Sequence, residues 1–386
     1  MMKKLIFLGH IPLTDNYKRY LSMDLMAARG VKFEYWDITA LYAEDFTMPG
    51  EISAPCVRKF ASLEELESYL VPRAGEIFVV TVVAFEPRLL SLMRMLTRHN
   101  VKVGHLAVGL SPQPSGGAVS RLWEKLHYLV SWAELSSFLA YKACAVLKRL
   151  GYIKKYDVVF AAGAAACYIH AGSAAAVVEI NHYDYDSFLA HSGEEERLVY
   201  GKYCVFLDEN LAGHPDLKML GLDLIDPAKY YNALNDFFNR LETASGARVV
   251  IAAHPKSEYS ENIFNGRKIF RHLTRRLVRY CDFAFSVGSN SSGFAAIYNK
   301  PLFFIYTSEI LKKYKAIKYN LYPFSCADTF GTQAYDIERP DVPPVIPRID
   351  TSRYLAYKYR YLTSRGCEAR LNVDLIQEFL SQGGVK

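Results

Sequence analysis

The run Ile77 to Phe85 reads IFVVTVVAF and carries no charge. A strand that is apolar on both faces must be covered on both faces, which is the setting of a parallel sheet between helices. Its surroundings agree. Lys4 to Leu8 is a short apolar run ending at Gly9-His10, and Thr14-Asp15 is placed to cap a helix running to Ala28, closed by Arg29-Gly30. Val31 to Trp36 alternates like a strand, a helix is expected from Pro87 to about His99, and Val101 to Leu110 reads as another strand. A second series begins near residue 202. Strands are expected at Tyr203–Leu207, Arg248–Ala253, Phe283–Val287 and Pro301–Tyr306, with helices at Pro227–Thr243 and Leu273–Tyr280. Short strands alternating with helices of this length predict an α/β chain with mainly parallel sheets.

With 386 residues, 51% of them hydrophobic and 22% charged, the chain is long enough for two or three domains and is not of disordered composition. The net charge of +6 does not require nucleic acid, and no recognition-module signature is present. Seven scattered cysteines, with no CxxC pair, argue against a disulfide framework and for a reducing, cytoplasmic setting. The stretch Phe160 to Val178 lacks Asp, Glu, Lys and Arg. Its glycines, His170 and many alanines favour two buried strands around an alanine-rich connection over a membrane span. Three segments mix cations with aromatics: Arg121–Lys155, Lys312–Lys318 and Arg353–Tyr361. Such segments are either half-core stripes or a peripheral contact with an anionic membrane surface.

Ligands of open parallel sheets sit beyond the carboxyl ends of the strands, so the residues that follow strands carry the chemistry. Four groups do so. His254-Pro255-Lys256 follows one strand, where an imidazole can hydrogen-bond a phosphate oxygen or simply cap the turn. Gly288-Ser289-Asn290-Ser291-Ser292-Gly293 joins a strand to a helix, where N–H and hydroxyl donors can meet an anion or serve as ordinary caps. Asp208-Glu209-Asn210, with His214-Pro215-Asp216 close behind, offers carboxylates to take a proton from a hydroxyl. Asp184-Tyr185-Asp186 follows another strand. Together with His10, its acids are the acceptor-side candidates.

The run Tyr203 to Tyr306 resembles the donor-binding half of bacterial GT-B glycosyltransferases of surface polysaccharide synthesis. The likeness is strongest to the sialyltransferases and Kdo-type transferases that use CMP-activated sugars. It rests on an acidic motif after an early strand (Asp208-Glu209, or Asp216), on His254-Pro255, and on Ser289-Asn290-Ser291-Ser292 before a helix. The resemblance implies two Rossmann-like domains facing a cleft and inverting transfer that needs no metal and no cofactor. It implies that His254 contacts the donor phosphate and that Ser289, Ser291 and Ser292 hold it. A carboxylate would serve as base. Glu209 is followed by Asn210 where the family commonly has glycine, so the base stays open among Asp208, Glu209 and Asp216.

The expected organisation is an acceptor domain over 1–200 and a nucleotide-sugar donor domain over 201–350. A C-terminal helical segment, 351–386, is able to pack back on the first. The expected activity moves a nonulosonic acid, such as sialic acid or Kdo, from a CMP donor to a surface glycan or glycolipid. Asn299-Lys300-Pro301 after the Ser-Ser element keeps CDP-glycerol-type glycerophosphotransfer as a rival. A nucleotide-sugar epimerase and a non-catalytic glycan-binding module are the others. Nothing in the sequence sets the oligomeric state.

Overall fold

The computed structural model describes residues 4–382 except 44–45, 47, 49, 83–84, 86, 113–131, 192, 194, 214–224, 317–321 and 342–343. The chain forms two compact units. The first comprises Met1–Leu110, Gly116–Tyr183 and Thr363–Lys386, and the second Ser111–Ser115 and Asp184–Leu362.

The first unit holds strands β1 (Lys4–Gly9), β2 (Phe33–Asp37), β3 (Val57–Lys59), β4 (Ile77–Thr81), β5 (Lys102–Ala107), β6 (Tyr156–Ala162) and β7 (Ala174–Ile180). They form one sheet in the order β3-β2-β1-β4-β5-β6-β7, with every pair parallel. The second unit holds β8 (Tyr203–Leu207), β9 (Arg248–Ala253), β10 (Ile269–Arg271), β11 (Phe283–Ser286), β12 (Leu302–Tyr306) and β13 (Ala334–Asp336). Its order is β10-β9-β8-β11-β12-β13, again all parallel. Counted within the unit this is 3-2-1-4-5-6, the strand order of a Rossmann fold. Both units are therefore Rossmann-like, as the alternation of strands and helices predicts.

Side-chain pattern explains the main elements. In the second unit, Pro227–Ser245 begins at Asp226, whose carboxylate accepts from the N–H of Ala228 and Lys229, and ends at Gly246 with φ +68°. Its stripe of Tyr230, Leu234, Phe237, Phe238 and Leu241 is buried in the core with Phe206 and Phe285. In the first unit, Gly9 cannot carry a side chain, because a Cβ there would lie 1.9 Å from the Tyr35 hydroxyl. That hydroxyl instead donates to Ile11 O at 2.7 Å, fixing the turn after β1.

Several expectations need correction. The helix expected from Thr14 to Ala28 is two helices, Asp15–Tyr20 and Met23–Ala28, broken at Ser22 with φ +50°. The uncharged stretch 160–178 does contain the ends of two strands, and the alanine-rich connection between them is a helix, Gly163–His170. Among the described residues no helix is long and apolar enough to cross a membrane. In Arg353–Tyr361 the aromatics are core: Tyr354, Tyr357 and Tyr361 are buried, and Tyr357 packs on Phe330 at 4.4 Å between ring centroids. Most of the aromatic surface in that segment is therefore not offered to a membrane. Part of Arg121–Lys155 and part of Lys312–Lys318 lie outside the described residues.

The C-terminal helix Asn372–Ser381 belongs to the first unit, where Val373 and Ile376 join the core and Phe379 packs edge-on to Phe78 and Phe160. One buried side chain anchors its approach. Asn181 donates its amide to Arg370 O at 2.7 Å and accepts from the Thr363 hydroxyl at 2.6 Å. Its backbone exchanges bonds with the Asn372 side chain at 2.7 and 2.8 Å. Removing a fully buried amide strands its partners without water, which costs about 1–3 kcal/mol for each group left unpaired. Asn181→Ala is expected to lower the unfolding free energy in urea by about 2–4 kcal/mol. It should also open the segment around residue 365 to limited proteolysis.

Candidate active site on the second sheet

The chain runs outward from β8 to β9 and β10, then crosses back to add β11 on the other side of β8, so the strand order reverses between β8 and β11. At such a reversal the loops part and leave a crevice beyond the carboxyl ends of the strands. Three of the motifs sit there. Asp208-Glu209 follows β8, His254 follows β9 on one side, and residues 288–293 follow β11 on the other. Neighbouring strands are about 4.8 Å apart, so the backbone leading to His254 and that leading to Ser289 are separated by about 10 Å, with β8 between them.

Ser286, the last residue of β11, organises this end of the sheet. It is wholly buried. Its oxygen accepts from the N–H of Gly288 at 3.0 Å and Ser289 at 2.8 Å. Its single proton faces two acceptors, Leu207 O and Glu209 Oε1, each at 3.2 Å. A hydroxyl has one donor and two acceptor positions, so this serine is saturated. When Glu209 is ionised the proton belongs to the carboxylate, and when Glu209 is neutral it can turn to Leu207 O.

Glu209 is partly exposed at its surface, whereas Asp208 is 2% exposed. Burial, and then the neighbouring Asp208 charge, push the Glu209 carboxyl up to about 8, against the opposing pull of Ser286 and the Gly288 and Ser289 N–H groups. Burial also raises Asp208, against the hydrogen bond donated by the Tyr259 hydroxyl to its Oδ2. Both carboxyls are raised, and of the two Glu209 is the more accessible. Asp216 lies outside the described residues.

His254 is half-buried, and its Nδ1 accepts from the Lys256 N–H at 3.2 Å. A neutral imidazole that accepts at Nδ1 carries its proton on Nε2, the nitrogen then able to donate. The capping reading and the donor reading thus coexist in one ring. The loop is braced from beneath: His254 O accepts from Ser257 N at 3.0 Å and Oγ at 2.6 Å. Arg271 in turn donates to Ser257 O at 2.5 Å. Pro255 is exposed and Lys256 is partly exposed beside it.

The serine motif differs from a bare anion nest. The N–H groups of Gly288 and Ser289 are taken by Ser286, and Ser289 Oγ accepts from the Ser291 N–H at 3.3 Å. The helix that follows, Gly293–Ile297, is only five residues long, so its dipole adds little. Ser292 is 2% exposed and its Oγ has no hydrogen-bond partner. Asn290 is tied by its side-chain oxygen to the Ser111 hydroxyl at 2.5 Å.

The Asp184-Tyr185-Asp186 group is not a solvated loop. It lies in the helix Tyr183–Ala190 with both aspartates buried. Burial holds Asp184 well above the usual carboxylate range. Its Oδ2 lies 3.7 Å from where a Gly293 Cβ would sit, so Asp184 backs the serine motif. His10 follows β1 in the other unit. Ser286, Ser257, Tyr259 and Arg271 escaped the sequence reading, because a single serine at a strand end or a tyrosine in a loop has no distinctive spacing. The apolar FAFS run ending before Gly288 was the only available signal.

No family model and no curated protein sequence matches this chain. Solved structures do. CalG4, the calicheamicin glycosyltransferase, is 12% identical with a TM-score of 0.53, covering 99% of both chains. Os79 from O. sativa, solved with UDP and deoxynivalenol-3-glucoside, is 12% identical with a TM-score of 0.51, covering 98% of this chain and 99% of its own. A Listeria monocytogenes protein described as a UDP-N-acetylglucosamine 2-epimerase is 11% identical with a TM-score of 0.50, covering 99% of this chain and 97% of its own. The shared feature is the fold: two Rossmann-like units along one chain.

A carboxyl whose folded pKa is raised binds its proton more tightly in the folded state. Stability is then greatest at low pH and declines as pH rises from the unfolded value, near 4.5, through the folded one, about 8. Unfolding free energy is therefore expected to fall between pH 5 and 8, and Glu209→Gln should flatten that slope. Ser286→Ala withdraws the donor to ionised Glu209, so it should move the titration to higher pH and cost about 1–3 kcal/mol. Urea denaturation across the pH range reads both.

Proposed function

We propose that this protein is an inverting glycosyltransferase whose nucleotide-sugar donor binds at the reversal point of the second sheet. One observation carries the reading: β9, β8 and β11 are consecutive in the sheet and deliver His254, Glu209 and the serine motif to the same end. The fold shared with CalG4 and Os79 supports it.

In the proposed step an acceptor hydroxyl oxygen attacks the anomeric carbon from the face opposite the donor phosphate. The anomeric carbon–oxygen bond breaks, and its electron pair leaves on the phosphate. Glu209, ionised, takes the hydroxyl proton. His254 Nε2–H, with the Ser289 and Ser292 hydroxyls, faces the charge that develops on the departing oxygen. Donors fixed before the reaction stabilise such charge without reorganising. Burial and then the Asp208 charge keep Glu209 basic, and Tyr259 and Arg271 position Asp208 and the His254 loop.

The motif resemblance favours a CMP-activated nonulosonic acid as donor, with a glycan or glycolipid as acceptor. Os79 was solved with UDP and the Listeria protein is described as acting on a UDP sugar, so the nucleotide is the first thing to measure. A panel of CMP, CDP, UDP and GDP, read by thermal shift, is expected to favour cytidine, since selective binding to the folded state raises its melting temperature. With the preferred donor, His254→Ala is expected to lower kcat by about 10²–10⁴-fold while far-UV circular dichroism is unchanged. Full activity in that variant removes the mechanism. The Listeria likeness favours one second reading, a nucleotide-sugar epimerase. Turnover of UDP-N-acetylglucosamine without any acceptor would select it.

A further inference from the structure

The first unit contains a cavity of about 290 Å³ that the proposed transfer does not use. It is lined from the loop after β4, from β5, from the helix Trp132–Arg149 and from the approaches to β6 and β7. Tyr156 opens β6, and Ser173 precedes β7. His105, from β5, forms the floor: its ring stacks on Tyr156 at 5.1 Å and 17°. Its Nδ1 lies 3.1 Å from both Thr81 O and Thr81 Oγ1. Phe85, Cys144 and the Tyr156 ring supply apolar walls.

Three basic side chains face this space: His105, Lys148 and His170. Among the described residues no carboxylate pairs with any of them. The Lys148 ammonium lies 3.9 Å from the Phe85 ring centroid, a cation against an aromatic face. Burial lowers Lys148 and His170, and burial with the two neighbouring charges brings His105 to about 4. Among the described residues the cluster thus carries no negative charge. Ser173 Oγ lies 3.0 Å from His170 O and 3.2 Å from His170 Nδ1. When its proton points to Nδ1, the His170 Nε2–H is left to donate.

We propose that this cavity binds a small amphipathic carboxylate, its anionic end against Lys148 and His170 and its apolar body between Phe85 and Tyr156. The volume is near the lower end of ligand pockets, enough for a single-ring molecule. The apolar walls disfavour a free phosphate, which would leave most of its oxygens without donors. A carboxylate needs only the one basic side, and it satisfies the half-buried ammonium.

Benzoate is the probe, with benzamide as its neutral counterpart and inorganic phosphate as the polar anion. Binding is read by calorimetry and by the ring resonances of His105 and His170. Benzoate is expected to bind and shift both histidines, with benzamide and phosphate at least about tenfold weaker. Lys148→Met keeps the apolar stem of a half-exposed helix residue, and it should weaken benzoate at least about tenfold with an unchanged melting temperature. His170→Gln should weaken it by a smaller factor, and serves if Lys148→Met does not fold. The proposal fails if benzoate does not bind or binds no better than benzamide. It equally fails if phosphate matches benzoate, or if neither variant weakens it. Because none of these readouts involves sugar transfer, they stand or fall apart from the glycosyltransferase reading.

Discussion

The hydroxyl of Ser286 joins two strand ends at the place where the second sheet changes direction. It receives the N–H groups of the serine turn and shares its proton between β8 and Glu209. A single buried oxygen thereby fixes the distance between a carboxyl and the loop beside it. The strand order places the crevice, and this hydroxyl fixes the chemistry at its edge. Its saturation also explains why the turn after β11 does not offer a bare nest of amides: the Gly288 and Ser289 N–H groups are already engaged.

The same region shows how burial and charge divide a pair of acids. Asp208 and Glu209 are adjacent in sequence and cannot both ionise cheaply in a poorly hydrated place. The deeper one is held by a tyrosine, and the shallower one is left to exchange a proton near neutral pH. A base for a hydroxyl acceptor needs this property, since efficient proton transfer asks for a pKa close to the working pH.

Much of the fold was legible because parallel strands buried on both faces cannot hide their apolar runs. Ile77–Thr81, Arg248–Ala253 and Leu302–Tyr306 stand out in the sequence and form strands in the structure. The shortest edge strands were not legible. Val57–Lys59, Ile269–Arg271 and Ala334–Asp336 are three residues each, and two of them are largely exposed, so no pattern separates them from loop. The break at Ser22 was hidden because a polar serine in a left-handed conformation leaves the flanking helical spacing intact. The site was half legible. Residues next to strand ends could be found from the strands, while their supports could not. Ser257, Tyr259 and Arg271 act through contacts far apart in sequence, and the burial of Asp184 and Asp186 depends on what packs over their helix.

The most direct test is a crystal structure with the preferred donor nucleotide bound. The account predicts its sugar-linked phosphate within hydrogen-bonding distance of His254 Nε2 and a hydroxyl of Ser289–Ser292, with the Glu209 carboxyl in reach of the anomeric carbon's open face. A nucleotide lodged anywhere else, with the ends of β8, β9 and β11 untouched, would contradict it.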